Sequence, residues 1–120
     1  MHFSSRLDAP EIEISATRSS NTLPNGTSVR LTCKAWQKDD MAMKSSKLSL
    51  ERIEWFNPQD KPVGDKCPAG SQAASVMNCT LMVGVLTKDK VGNYTCRTRN
   101  SHYHCWTKTI EVNFQGKSLK

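Results

Sequence analysis

The sequence predicts an all-β domain built as a sandwich of two sheets. Short segments of alternating apolar and polar residues recur along the chain, as half-buried strands require. Turn-forming stretches such as residues 23–26 (LPNG) separate them, and no segment has a sustained helical period. At 120 residues the chain is long enough for one core. We expect residues 1–9 to be a lead-in, residues 10–114 the domain, and residues 115–120 a polar tail or linker.

Six segments have the alternation of strands, and proline at the start of the first suits a sheet edge. Between the second and third lies a Lys- and Ser-rich stretch, Trp36–Leu50, which we expect to be a loop that is mobile over Lys38–Lys47. Asn57–Lys61 predicts a hairpin turn, and Cys67–Ser75 has no strand pattern. The predicted strands are Pro10–Ile14, Thr27–Ala35, Arg52–Phe56, Val76–Leu86, Gly92–Asn100 and Cys105–Phe114.

Strand alternation also predicts which side chains form the core. For Val76–Leu86 the pattern does not decide which face points inward. The inward set predicted for the other strands is Val29, Leu31, Cys33, Ala35, Ile53, Trp55, Tyr94, Cys96, Thr98, Ile110, Val112 and Phe114.

One motif is more specific than the strand pattern. Asp89–Cys96 has the form D-x-G-x-Y-x-C, and Cys33 and Trp55 precede it in alternating segments. This order resembles the immunoglobulin domains of cell-surface receptors and adhesion proteins, over nearly the whole predicted domain. The resemblance implies an immunoglobulin-like, two-sheet Greek-key sandwich. In it a disulfide between Cys33 and Cys96 joins the sheets, and Trp55 packs on that bond. Tyr94 hydrogen-bonds to the backbone of the corner that precedes its strand.

A narrower resemblance is to the first domain of interleukin-1-receptor-type ectodomains. It rests on residues 92–105 (GNYTCRTRNSHYHC) and on the long interval between Cys33 and Trp55. In that family a further cysteine, here Cys105, opens the last strand and is matched by one near the amino terminus. This chain departs from the pattern, because residues 1–32 contain no cysteine.

Three cysteines remain beyond the pair implied by the immunoglobulin motif. We expect a Cys67–Cys79 disulfide, which closes a short loop, with Cys105 free or paired outside this chain. Cys79–Cys105 is the alternative, because the two strands concerned start at the same end of such a sandwich. No Cys-x-x-Cys occurs, so we expect neither a metal nor another cofactor.

Cysteine content and modification motifs indicate an extracellular location, either secreted or in the ectodomain of a membrane protein. Disulfides persist in oxidising compartments. Three Asn-x-Thr glycosylation acceptors, at Asn25, Asn78 and Asn93, agree with this. No stretch approaches the roughly 18 apolar residues of a membrane span, and no apolar signal-peptide segment follows Met1.

The expected binding surface is the C–F–G face, the outer surface of the strands at Arg52–Phe56, Gly92–Asn100 and Cys105–Phe114. These strands share a sheet in immunoglobulin domains. An exposed phenylalanine beside arginines is typical of protein-binding surfaces, although an ordinary surface would also fit, with Glu54 pairing one arginine. The candidate partner-binding residues are Arg52, Phe56, Arg97 and Arg99 on the face, with His102 and Tyr103 in the adjoining loop.

We therefore expect an extracellular protein-binding module, of a receptor or of a soluble cytokine- or growth-factor-binding protein, and not an enzyme. Lys and Arg exceed Asp and Glu by six (17 minus 11), which favours an acidic protein as the partner. One alternative is a homophilic or heterophilic cell-adhesion domain. Another is binding to sulfated, heparan-type glycans. The glycan-binding set would be Lys38, Lys44, Lys47, Arg97, Arg99 and Lys108. No nucleic-acid motif accompanies the charge.

Overall fold

Strands account for most of the described residues of the computed structural model, which are 10–20, 27–36, 50–68, 76–100 and 103–114. A single turn of 3-10 helix lies at Lys88–Lys90. The strands in these ranges are β1 (Glu11–Ser20), β2 (Thr27–Trp36), β3 (Leu50–Phe56), β4 (Pro62–Pro68), β5 (Val76–Val85), β6 (Gly92–Asn100) and β7 (Cys105–Val112).

The strands form two antiparallel sheets. One sheet has the order β1-β2-β5, and the other has the order β4-β3-β6-β7. Side chains of both sheets meet in one buried cluster. The prediction of an all-β chain with two sheets is therefore confirmed.

Alternation along the strands builds the core, because every second side chain points between the sheets. The predicted inward residues of β2, β3 and β6 are all buried. In β5 the buried positions are Met77, Cys79, Leu81 and Val83. These residues form the inward face of the strand, which the sequence pattern did not determine. Removing these side chains from water is the main favourable contribution to folding, at about 25 cal/mol per Å² of apolar surface.

Two disulfides cross the sandwich next to each other. Cys33 bonds to Cys96, and Cys67 bonds to Cys79, which are the two pairs that we predicted. Cys33 and Cys79 lie opposite each other in the first sheet, so the bonds are neighbours. Trp55 lies opposite Cys96 in the second sheet, is fully buried, and donates its indole N–H to the Cys79 carbonyl at 3.0 Å.

Tyr94 fixes the connection that precedes β6. Its hydroxyl donates to the carbonyl of Lys90, the last residue of the 3-10 turn, at 2.7 Å. Burial raises the pKa of the Tyr94 phenol, and the negative charge of Asp89 raises it further. The phenol therefore stays protonated and keeps donating at neutral pH.

Several predicted strand boundaries were wrong. β1 continues past Ile14 to Ser20 because it pairs with β2 over its full length, although its later residues lack apolar alternation. β4 was missed altogether, since Pro62 and Gly64 are poor strand formers that an edge strand tolerates.

Predictions at the ends of strands also needed correction. Phe114 is exposed, because β7 ends at Val112 and Phe114 lies in the turn beyond it. Trp36 and Leu50, which we placed in a loop, end β2 and begin β3. The other predictions that fall on residues 1–9, Asn25, residues 37–49, His102 and residues 115–120 lie outside the described residues.

Candidate functional site

Charged and aromatic side chains gather on the outer face of the four-stranded sheet. Register brings Glu54 of β3 opposite Arg97 of β6, and Arg52 opposite Arg99. Directly opposite residues on adjacent strands point to the same side of a sheet and lie close enough to interact. The face is organised as two groups, each centred on one arginine.

The Arg97 cluster consists of Glu54, Phe56, Lys66 and Arg97. The Arg97 guanidinium donates through Nη2 to Glu54 Oε1, and its central carbon lies 4.6 Å from the centre of the Phe56 ring. Lys66 on β4 places its Nζ 3.7 Å from the other carboxylate oxygen of Glu54. The carboxylate thus bridges three strands, and the planar guanidinium is fixed both at its edge and on its flat side.

The environment of Glu54 keeps it charged. Its partial burial works to raise the pKa of the carboxyl group. The hydrogen bond and charge of Arg97, with the charges of Lys66 and Arg52, outweigh burial and hold the pKa of Glu54 below its ordinary value. The ion pair is therefore fully formed at neutral pH.

The Arg99 cluster consists of Glu51, Arg99 and Tyr103. Arg99 donates to Glu51 Oε1 through Nε at 3.2 Å and through Nη2 at 2.9 Å. The guanidinium carbon lies 4.9 Å from the centre of the Tyr103 ring, and most of that ring faces solvent. The second arginine therefore has the same environment as the first, a carboxylate at its edge and an aromatic ring on its flat side.

The turn between β6 and β7 holds Tyr103 in this position. Asn100 is buried, and its backbone carbonyl accepts from the Tyr103 N–H at 3.0 Å. The side-chain oxygen of Asn100 also accepts from the His104 N–H at 3.0 Å. Tyr103 adopts φ 66°, a left-handed conformation that costs a bulky residue about 1–3 kcal/mol. Strained backbone of this kind persists only where surrounding contacts impose it, and it is common at binding sites.

The structure brings together most of the predicted site residues. Phe56, Arg97, Arg99 and Tyr103 belong to the two clusters, and Arg52 lies beside them, where its charge acts on Glu54. Sequence reasoning missed Glu51 and Lys66. A register shift between Leu50 and Arg52 alters the simple alternation around Glu51, and Lys66 lies on the strand that was not predicted.

The outer face of the other sheet has a different composition. Lys34 and Trp36 of β2 form a cation–π contact, with Nζ 5.4 Å from the ring centre, and Val76 and Met82 of β5 are exposed. The acceptor Asn78 also lies exposed on β5. The acceptor Asn93 is exposed at the start of β6 instead, in register with Glu111.

No protein-family model and no curated protein sequence matches this chain. Among the described residues, no helix has the length and apolar character needed to cross a membrane. The same part of the chain holds no group of three or more His, Cys, Asp or Glu side chains arranged to bind a metal ion.

Proposed function

We propose that this chain is an immunoglobulin-superfamily module that acts outside the cell and binds another protein through its C–F–G face. The C–F–G face corresponds to the outer face of β3, β6 and β7. The strand order supports the family assignment, since β1-β2-β5 and β4-β3-β6-β7 match the A-B-E and C′-C-F-G sheets of immunoglobulin sandwiches. Two disulfides support the extracellular location.

The observation that carries the proposal is the fixed placement of Arg97 and Arg99. Arginine and aromatic residues contribute strongly to protein interfaces, and binding costs less when such side chains are already ordered. Each guanidinium here is held by a carboxylate and a ring, yet about a third of each arginine side chain remains open to a partner. The strained backbone of Tyr103 adds to this support.

The arrangement changes the expected chemistry of the partner. Glu54 and Glu51 neutralise the two arginines, so the face is less attractive to a purely acidic partner than the net charge of the chain suggests. The exposed parts of the guanidiniums and of Tyr103 are flat. We infer a partner that offers an aromatic or other planar side chain to stack on them, with hydrogen-bond acceptors around it.

The glycan-binding alternative receives less support from the same contacts. Three members of its basic set are described. Two of them are paired with carboxylates, and Lys108 donates to the Ile12 carbonyl at 3.1 Å. Retention on a heparin column that is lost at moderate salt would nevertheless favour it. Self-association in sedimentation experiments would favour the adhesion alternative.

The direct test is a screen of the oxidised domain against arrayed secreted and cell-surface proteins. For a protein that binds, Arg97→Lys combined with Arg99→Lys keeps both charges but removes both planar groups. We expect binding to weaken at least tenfold, about 1.4 kcal/mol. Arg30→Lys, on the outer face of the other sheet, is the matched control and should have no effect.

A change below about threefold, roughly 0.7 kcal/mol, would place the binding site elsewhere on the domain. Unfolding temperatures of all variants must first be shown to be equal, so that lost binding is not lost folding.

A further inference from the structure

The outer face of the three-stranded sheet holds apolar side chains that the core does not use. Met82 on β5 is 64% exposed, and Val76 on the same strand is also exposed. Trp36 lies opposite Val76, so its ring adds to this surface. β5 is at the edge of its sheet. Exposed apolar residues on an edge strand promote association with other chains unless something covers them.

Asn78 lies within this surface. It is exposed between Val76 and Met82 on β5, and Asn78-Cys79-Thr80 is an acceptor for N-linked glycosylation. Strand alternation directs the Cys79 sulfur into the core, where it is bonded, and the Asn78 amide outward. The disulfide and a modified Asn78 are therefore compatible in the folded chain.

We propose that Asn78 carries an N-linked glycan that covers the outer face of the three-stranded sheet. The proposal rests on the extracellular location proposed above. The donor is an oligosaccharide carried on a lipid pyrophosphate. A bond forms between Asn78 Nδ2 and the anomeric carbon, and the bond from that carbon to the pyrophosphate oxygen breaks. The lipid pyrophosphate leaves with the electron pair, and the amide loses one proton.

The positions of the apolar side chains suit this cover. At about 3.3 Å per residue, Val76 lies roughly 7 Å and Met82 roughly 13 Å from Asn78 along the strand. A branched glycan of several sugars spans such distances, and the C–H faces of sugars pack against apolar side chains. In register, Asn78 lies opposite Lys34 and Met82 lies opposite Arg30, so basic side chains border the apolar ones on this face. Asn93 lies opposite Glu111 on the outer face of the other sheet. It lies four residues, or roughly 13 Å, from Arg97 and six residues, or roughly 20 Å, from Arg99 on the same face of β6.

A glycan on Asn78 would also make the two sheet faces of the domain differ in accessibility. A bulky glycan on β5 would obstruct one sheet and leave the Arg97 and Arg99 clusters of the other sheet accessible. With Asn93 unmodified, a partner would then have one open sheet face to bind.

The test uses the whole chain, secreted from mammalian cells behind a cleavable signal. Peptide mapping after treatment with peptide N-glycosidase F identifies an occupied asparagine by its conversion to aspartate. We expect Asn78 to be occupied in the parent chain and in Thr80→Ser, which keeps the acceptor, but not in Thr80→Val. An unmodified Asn78 in the secreted parent chain would overturn the proposal, whether or not Asn93 is modified.

Methionine oxidation tests whether the glycan covers the face. Met82 is exposed, whereas Met77 on the same strand is buried and serves as an internal reference. With dilute hydrogen peroxide, we expect Met82 to be oxidised several-fold more slowly in the glycosylated chain than in the enzymatically deglycosylated chain. Equal rates would refute the cover, even with Asn78 occupied. Neither the occupancy of Asn78 nor the oxidation rate of Met82 requires a binding partner. These measurements can therefore fail independently of the proposed binding function.

Discussion

Replacing Glu54 by glutamine should reveal how firmly the Arg97 cluster is held together. The substitution keeps the size of the side chain and one acceptor oxygen but removes its charge. Glu54 and Arg97 side chains are 12% and 33% exposed, so solvent screens their attraction only in part. Hydrogen bonds to charged groups contribute about 1.5–3 kcal/mol, and exposed ion pairs about 0.2–1 kcal/mol. Between these limits, we expect the free energy of unfolding at pH 7 to fall by about 1–2 kcal/mol.

The pH dependence of this loss follows from the direction of the pKa shift. The pKa of Glu54 is lower in the folded than in the unfolded state. The ion pair therefore stabilises the fold above the unfolded pKa of about 4.3, and this contribution disappears as the pH falls through the folded pKa. Urea unfolding curves of the parent and Glu54→Gln chains, measured from pH 7 downward, should converge in acid.

A double-mutant cycle with Arg97→Gln isolates the interaction of the pair. The matched control is Glu51→Gln, because the Glu51 and Arg99 side chains are 37% and 29% exposed, so their pair is more open to solvent. We expect that control to lose only about 0.5 kcal/mol. A loss for Glu54→Gln no larger than the control, or one that does not change with pH, would show that the charge of Glu54 does not stabilise the fold through Arg97.

Four further variants test how the scaffold holds the site. Tyr94→Phe removes the hydroxyl's hydrogen bond to a backbone carbonyl and should lower the free energy of unfolding by about 1 kcal/mol. Cys67→Ser with Cys79→Ser opens a loop of 12 residues and should cost about 3 kcal/mol by the chain-entropy relation. Gly92→Ala should cost more than about 1 kcal/mol, since φ is 134° and the added Cβ would lie 2.8 Å from a proline ring. Gly84→Ala should cost less. Its φ is 87°, and the nearest atom to the added Cβ would be Lys90 Nζ at 3.6 Å.

Urea or thermal unfolding measures all of these changes. An unchanged stability for Tyr94→Phe would mean that water replaces the hydroxyl bond at no cost. A double serine variant as stable as the parent would show that the Cys67–Cys79 bond does not restrict the unfolded chain. Equal losses for the two glycine variants would show that backbone conformation, and not the contact with proline, determines the cost.

Sequence pattern alone predicted the strands with regular alternation. The Cys33–Cys96 pair followed from the family resemblance, and the structure decided between the two pairings left open for Cys79. In β2 the alternate residues from Val29 to Ala35 are buried, in β6 those from Tyr94 to Thr98, and in β3 Ile53 and Trp55. Local pattern suffices there because a strand has only two faces and one of them must leave water. The arginines and Phe56 were placed on one face by the same rule.

How these residues are connected depends on contacts made in the folded chain. β4 has proline and glycine where strand formers are expected, and it exists because β3 offers its edge and Cys79 binds Cys67. Its Lys66, and Glu51 beside a register shift, complete the two clusters. The positive φ of Tyr103 depends on a buried Asn100 that accepts hydrogen bonds from the turn. Pairing partners and register shifts arise from contacts between distant segments, and the Tyr103 conformation arises from hydrogen bonds to Asn100 nearby in the chain. Strand alternation carries no signal for either.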